Sequence, residues 1–166
     1  MSEIASTLSQ QVEALRLAFD GAFVEAIRDE VVVTDDLLTF TLGNEAHALR
    51  LSEVGGVFSG LQIAPMPSTA LGFRGLVSLR GQILPVYDLH VMLGHPPSVA
   101  PRWLFTAKAA HVAFAFETFA GHVRAPRAAI APRGGGQGAV GEFVSVNGIA
   151  HPLVTLDAVI KTIKGR

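Results

Sequence analysis

Residues 73–94 read FRGLVSLRGQILPVYDLHVMLG. Two apolar runs, Leu76–Leu79 and Ile83–Val86, flank Arg80-Gly81-Gln82, a hairpin signature in which Gly81 is free to take a positive φ. The turn sets a cation at the tip of two otherwise apolar strands. Pro85 has no N–H to give a ladder, so the second strand is expected at a sheet edge, or bulged at that point. Asp88-Leu89 opens a short turn that Gly94 closes. Nothing in the stretch has the look of catalysis; it has the look of a shaped surface.

The flanking sequence extends this β reading. Leu38, Phe40 and Leu42 alternate with Thr39 and Thr41, and Gly43-Asn44 makes a two-residue turn into a return strand carrying Ala46, Ala48 and Leu51. Residues 51–58 read as a turn or short helical link, and Ile63–Pro67 as an extended, proline-punctuated piece. Beyond His95-Pro96-Pro97, Trp103–Thr106 reads as a strand, and Ala109–Phe116 with Thr118–Val123 as a long apolar pair. Residues 124–141, rich in Arg, Pro, Gly and Ala, read as a mobile loop. Phe143–Val146 and Ile149–Val154 flank Asn147-Gly148, the strongest short hairpin signal. Leu156–Ile163 predicts a closing helix, with Asp157 near its start and Lys161 and Lys164 near its end, as the helix dipole favours. Short strands at close spacing point to small barrels or a sandwich. No strand–helix–strand alternation supports a parallel nucleotide-binding sheet.

Ahead of this body, Leu8, Val12, Leu15, Phe19, Ala22 and Ala26 recur at steps of four and three, one face of an amphipathic helix. Thr7 and Gln10 would form its capping box, and Asp35-Asp36 would end it. The chain thus divides into an acidic helix, residues 1–36, and a β domain, residues 37–166. Residues 1–36 hold eight acids against two bases, a net −6; residues 37–166 hold six acids against eleven bases, a net +5. The acidic segment would dock on the body or on a partner, with Leu8, Val12, Leu15 and Phe19 as its contact face.

Composition narrows the function. At 166 residues, with 49% hydrophobic and 16% charged residues, the chain can bury a core. The net charge of −1 gives no strong pull on nucleic acid or membrane. A single Trp and a single Tyr offer no stacking platform for single strands. Without cysteine there is neither disulfide nor thiolate chemistry. The start, Met-Ser-Glu-Ile, lacks the features of a signal peptide, which suggests a cytoplasmic protein without membrane insertion. Gly136, Gly138 and Gly141 match the dinucleotide glycine pattern by letter, but no strand precedes them and a strand follows. The six histidines, at 47, 90, 95, 111, 122 and 151, form no metal-ligand spacing and read as structural, so no metal and no cofactor is expected. The acids of the body are dispersed, and Ser78, Asp88 and His90 lack a nucleophile-elbow context. A ligand-binding or enzymatic barrel therefore has only stray residues behind it, and no catalytic residue is assigned.

The motif running from Gly72 to Leu89 resembles the CheW-like domain of bacterial chemosensory systems, with Gly75, Leu79-Arg80-Gly81, Pro85 and Asp88-Leu89 in place. Leu38–Asn44, Ile63–Pro67, Val112–Phe119 and Leu153–Asp157 resemble further pieces of that family in the same order. The resemblance covers about residues 37–163 and is strongest over 63–94. It implies a mainly β fold of two small five-stranded SH3-like barrels sharing a core, with the N-terminal helix an addition. It also implies a non-enzymatic adaptor, without cofactor, joining methyl-accepting chemoreceptor tips to the regulatory domain of a CheA-type histidine kinase, in the cytoplasm at membrane receptor arrays. By this resemblance Val77, Leu79, Arg80 and Gly81 would meet the receptor. Val54, Gly55, Gly56 and Val57 would meet the kinase, their glycines letting a partner approach closely. Arg80 could instead hold its own hairpin by bonding carbonyls. The family often carries Val-x-Glu-(Ile/Val) at a place where this chain has Val54-Gly55-Gly56-Val57, so the acid that can partner the arginine is missing. The alternative is a CheW-like module outside receptor arrays that binds another partner through the N-terminal helix.

Overall fold

The computed structural model describes residues 32–132, 134 and 138–165. The N-terminal helix, with Leu8, Val12, Leu15 and Phe19, lies outside them. Among the described residues alternating apolar residues and tight turns produce eleven strands: β1 (Thr34–Leu42), β2 (Glu45–Arg50), β3 (Val54–Ser59), β4 (Phe73–Leu79), β5 (Gln82–Asp88), β6 (Trp103–Ala107), β7 (Ala113–Phe116), β8 (Thr118–Pro126), β9 (Ile130–Pro132), β10 (Val140–Val146) and β11 (Ile149–Val154). Among the described residues two helices join them, α1 (Leu89–Met92) and α2 (Leu156–Lys164). No helix among the described residues is long and apolar enough to cross a membrane.

The strands form two sheets, ordered β8-β1-β2-β11-β10-β9 and β3-β6-β7-β5-β4. The chain enters the first sheet, crosses to the second at a 3-10 turn (Leu51–Glu53), and returns to the first after Phe116.

The two sheets repeat one plan at a spacing of 67 residues. Hairpin β4–β5 turns at Arg80-Gly81 and hairpin β10–β11 at Asn147-Gly148, with φ of 50° and 78° in the first and 51° and 78° in the second. Each carries a bulge, between Phe73 and Gly75 and between Val140 and Glu142. Each second strand has a proline, Pro85 or Pro152, just before a parallel pairing begins, at Val86↔Ala113 and Leu153↔Ala48. Each hairpin leads into a helix. Strand β9 pairs Ala131 with Phe143, and its counterpart is the isolated bridge Ala64↔Leu76. The first sheet therefore has six strands, not the expected five, because that outer pairing has lengthened into a strand.

Alternation sorts the side chains into three cores. Inward residues of the first sheet, Leu37, Ala48, Val144 and Leu153, form one cluster, and Val77, Leu84, Val86 and Leu104 form another in the second. Residues of opposite parity, among them Leu38, Phe40, Leu49, Phe105, Phe114 and Phe116, meet between the sheets with Leu156, Val159 and Ile160 of α2. Strand β7 is buried at all four positions because it faces a core on each side. Burying each such side chain is worth about 1.5–3 kcal/mol relative to exposure.

Several expectations are corrected. Residues 54–58 are not a link but most of β3; Gly55-Gly56 hid the strand because glycine lacks strand propensity. Residues 113–116 and 118–126 do not pair, since β7 and β8 belong to different sheets. Strand β5 is not an edge: β4 and β7 flank it, and Pro85 is accommodated because the parallel pairing starts one residue later. Within 124–141, residues 124–126 complete β8 and residues 130–132 form β9. Asp35 and Asp36 lie in β1, where Asp35 bonds Arg127 at 3.0 Å and Asp36 accepts from Arg124 at 3.1 Å. Hydrogen bonds from Arg124 and His122 hold the exposed Asp36 carboxyl below its usual range.

Candidate interaction surface

The β4–β5 hairpin closes at Arg80-Gly81 with both residues left-handed, the combination that matches strand twist in a two-residue turn. A left-handed non-glycine residue costs about 1–2 kcal/mol. Arg80 sets against this a contact of its own: its guanidinium carbon lies 5.7 Å from the centre of the Phe58 ring. Such a cation–π pair contributes about 0.5–1 kcal/mol at an exposed site. Among the described residues the arginine thus meets an aromatic face in place of carbonyls or an acid.

Phe58 reaches that position because Gly56 has no side chain. A Cβ at Gly56 would stand 2.8 Å from the Phe58 ring, so the ring folds back over its own strand. The space above Gly56 is therefore filled from within and not left for a partner. Gly55 is different: a Cβ there would meet the Thr106 hydroxyl at 2.8 Å, beside an open groove.

That groove, of about 440 Å³, brings the two expected surfaces together. Gly55 and Phe58 of β3, and Leu79 and Arg80 of the hairpin, line it along with Lys108 and His111. Its lining mixes polar and apolar side chains, and the charged groups among them, Arg80 and Lys108, are basic. Val54 and Val77 present no surface: they are 4% and 2% exposed, in the shared core and the second-sheet core. Val57 is half-buried against the shared core, and Gly81 sits at the turn. Ile83, beside the tip, is 67% exposed.

Behind the hairpin, residues that the sequence reading passed over hold it in place. Arg74, in the β4 bulge, donates to Asp88 Oδ2 at 2.8 Å and to the Ser98 carbonyl at 2.9 Å. Asp88 Oδ1 accepts from the backbone N–H of His90 at 3.0 Å, capping α1, and Oδ2 accepts from that of Ser98 at 3.0 Å. This arrangement also disposes of a Ser78–Asp88–His90 triad, for the carboxylate is occupied by backbone and Arg74 and bonds the main chain of His90. Downstream of Gly138, β10 begins at Val140, so no helix N-terminus is offered to a pyrophosphate.

The missing acid has a neighbour with another task. Glu53 accepts from the Leu156 N–H at 2.7 Å and caps α2 from 103 residues away. Burial pushes its carboxyl pKa up, against the lowering effect of that hydrogen bond.

These features define an open groove beside the β4–β5 hairpin, on a fold of two sheets with a shared core. The chain belongs to the CheW-like domain family, whose model matches residues 36–158. Membership places it among the adaptors and scaffolds of chemotaxis signal transduction, a family of scaffold proteins and not of enzymes. The fold is similar to the crystal structure of the scaffolding protein TtCheW from Thermoanaerobacter tengcongensis, with a TM-score of 0.67 at 17% identity, over 74% of this chain and 90% of that one. No curated protein matches the chain.

Proposed function

We propose that the protein is a chemosensory adaptor that joins the cytoplasmic tips of methyl-accepting chemoreceptors to the regulatory domain of a CheA-type histidine kinase. In this reading its two sheets act as a pair of SH3-like barrels. The observation that carries the proposal is the convergence of the β4–β5 tip and β3 on one groove, with Arg80 lying over Phe58. Leu79, Arg80 and Gly81 present the receptor side, and Gly55 and Val57 the kinase side. The adaptor works in the cytoplasm at receptor arrays, without cofactor and without contact with nucleic acid. Pull-down of the full chain with a receptor tip and, separately, with a kinase regulatory domain tests this. Capture of both is expected; capture of neither overturns it.

The charge split supports a second reading, in which the acidic N-terminal segment binds a different partner outside receptor arrays. Deletion of residues 1–33, which leaves β1 whole, would then abolish partner binding while the β domain stays folded. Unchanged binding would exclude this reading.

A further inference from the structure

Apart from the groove, two neighbouring residues of one strand meet a third that is distant in sequence. Glu45 and His47 lie on β2 of the first sheet, and His95 lies just beyond α1, which leaves the second sheet. One ligand atom from each of Glu45, His47 and His95 falls within 4.8 Å of the others. The His47 and His95 rings stand edge to face at 6.0 Å, and His95 Nε2 is 3.9 Å from Glu45 Oε2.

The ring of His47 is prepared for ligation. Its Nδ1 lies 3.1 Å from the Glu45 carbonyl oxygen, which can only accept. Nδ1 therefore carries the proton and Nε2 keeps its lone pair. A backbone carbonyl on one ring nitrogen is the support that metal-binding histidines commonly have. Stacking on Phe40, at 5.8 Å and 22°, fixes the ring plane.

A third histidine stands beside the cluster. His90 is 6% exposed, and its Nε2 is buried with no hydrogen-bond partner. Its ring stands edge to face with His95 at 6.4 Å, and Nε2 lies 4.0 Å from Glu117 Oε1, beyond hydrogen-bond reach. A buried ring nitrogen left without a partner is costly unless something supplies one. Two imidazoles and a carboxylate with their donor atoms gathered at one spot, and a third imidazole ring beside them, form the donor set of a borderline transition metal and not of calcium or magnesium.

We propose that Glu45, His47 and His95 bind one divalent transition-metal ion of the zinc class, with His90 at its edge. A tetrahedral ion at about 2.0 Å from each donor needs donors roughly 3.3 Å apart. The exposed side chain of Glu45 and the partly exposed one of His95 can close that gap. Bound there, the ion would staple the β2 end of the first sheet to the segment leaving α1, and so fix one lobe against the other.

The test is titration of the full-length protein with Zn²⁺ by calorimetry, together with thermal unfolding with and without the ion. Saturable 1:1 binding and a raised Tm are expected, with Mg²⁺ and Ca²⁺ giving neither. Glu45→Gln and His95→Gln lie at exposed or half-exposed positions and spare the core. Each should weaken Zn²⁺ binding at least tenfold and remove most of the Tm gain. His122→Gln, at a remote exposed histidine paired with Asp36, should leave both unchanged. Absence of saturable binding overturns the proposal, and so does binding that is indifferent to E45Q and H95Q.

Discussion

Arg74 and Asp88 form a bridge of 2.8 Å in which the Asp88 side chain is only 3% exposed. Arg74 is the extra residue of the β4 bulge, and Asp88 is the N-cap of α1, so one contact ties bulge, helix and the Ser98 loop behind the hairpin. Sixty-seven residues on, the same places hold Gly141 and Thr155, and no bridge can form. There Glu53 caps the helix from the far end of the chain. The two halves keep one backbone plan and stabilise it with different side chains.

Replacing Asp88 with Ala leaves a guanidinium and two backbone N–H groups without their acceptor. Breaking a buried pair in this way costs about 3–5 kcal/mol. Arg74→Ala should cost less, about 2 kcal/mol, because two N–H donors still face the carboxylate. Urea unfolding measures both. A loss for D88A within the range of an ordinary surface substitution would contradict the bridge's role.

Gly75 has φ +143°, and a Cβ there would collide with the Ala64 carbonyl oxygen, a backbone atom of the isolated bridge to Leu76. Gly75→Ala should therefore destabilise by about 3 kcal/mol. Gly43, at φ +59° with open space around it, pays only for its conformation, so Gly43→Ala should cost about 1 kcal/mol. Equal losses in denaturant titration would mean that the close approach at Gly75 does not matter.

The Arg80 position separates structure from recognition. Arg80→Asn keeps a residue suited to the left-handed turn and loses the Phe58 contact, so stability should change by less than about 1 kcal/mol. Arg80→Glu should hold its Tm within a few degrees yet weaken receptor-tip binding at least tenfold by calorimetry. Unfolding of both variants would show that the arginine serves its own hairpin.

Glu53 predicts a pH dependence. Its folded pKa is raised by burial above the ordinary 4.5. A raised folded pKa means that its contribution is fully present below pH 4.5 and is lost as the pH rises through the folded value. Glu53→Gln keeps an acceptor for Leu156 N–H and removes the titration. Relative to the wild type, the Tm of E53Q should therefore rise between pH 4 and pH 7. A Tm difference that is flat or falls with pH would contradict this.

Local signals carried much of the fold. Both hairpins were legible, because a positive-φ glycine between apolar runs leaves few alternatives, and so was α2, whose Leu156, Val159 and Ile160 fall on one face. The duplication was not, since the shared plan rests on φ, bulges and register, and its common letters are scattered: Ile63-Ala64-Pro65 with Ile130-Ala131-Pro132, Val77-Ser78 with Val144-Ser145, Gly81 with Gly148, Pro85 with Pro152 and Leu89 with Leu156. The exchange between β7 and β8 was hidden because Glu117 alone separates two apolar runs that face different cores. At the surface, Arg80 and Gly55 could be placed by pattern, but Phe58 could not, since its ring position depends on the missing side chain of Gly56. Val54 and Val77 looked like contacts only while their strand parity was unknown. The Glu45–His47–His95 cluster joins two sheets, and no spacing along the chain reports such a meeting.

The central claim is that this chain bridges receptor and kinase. Its most direct test is sedimentation of a membrane-bound receptor tip with a CheA-type kinase, with and without the full-length protein. The account predicts that the kinase co-sediments only when the protein is present, and that Arg80→Glu lowers its recovery. Kinase recovery that does not depend on the protein would contradict it.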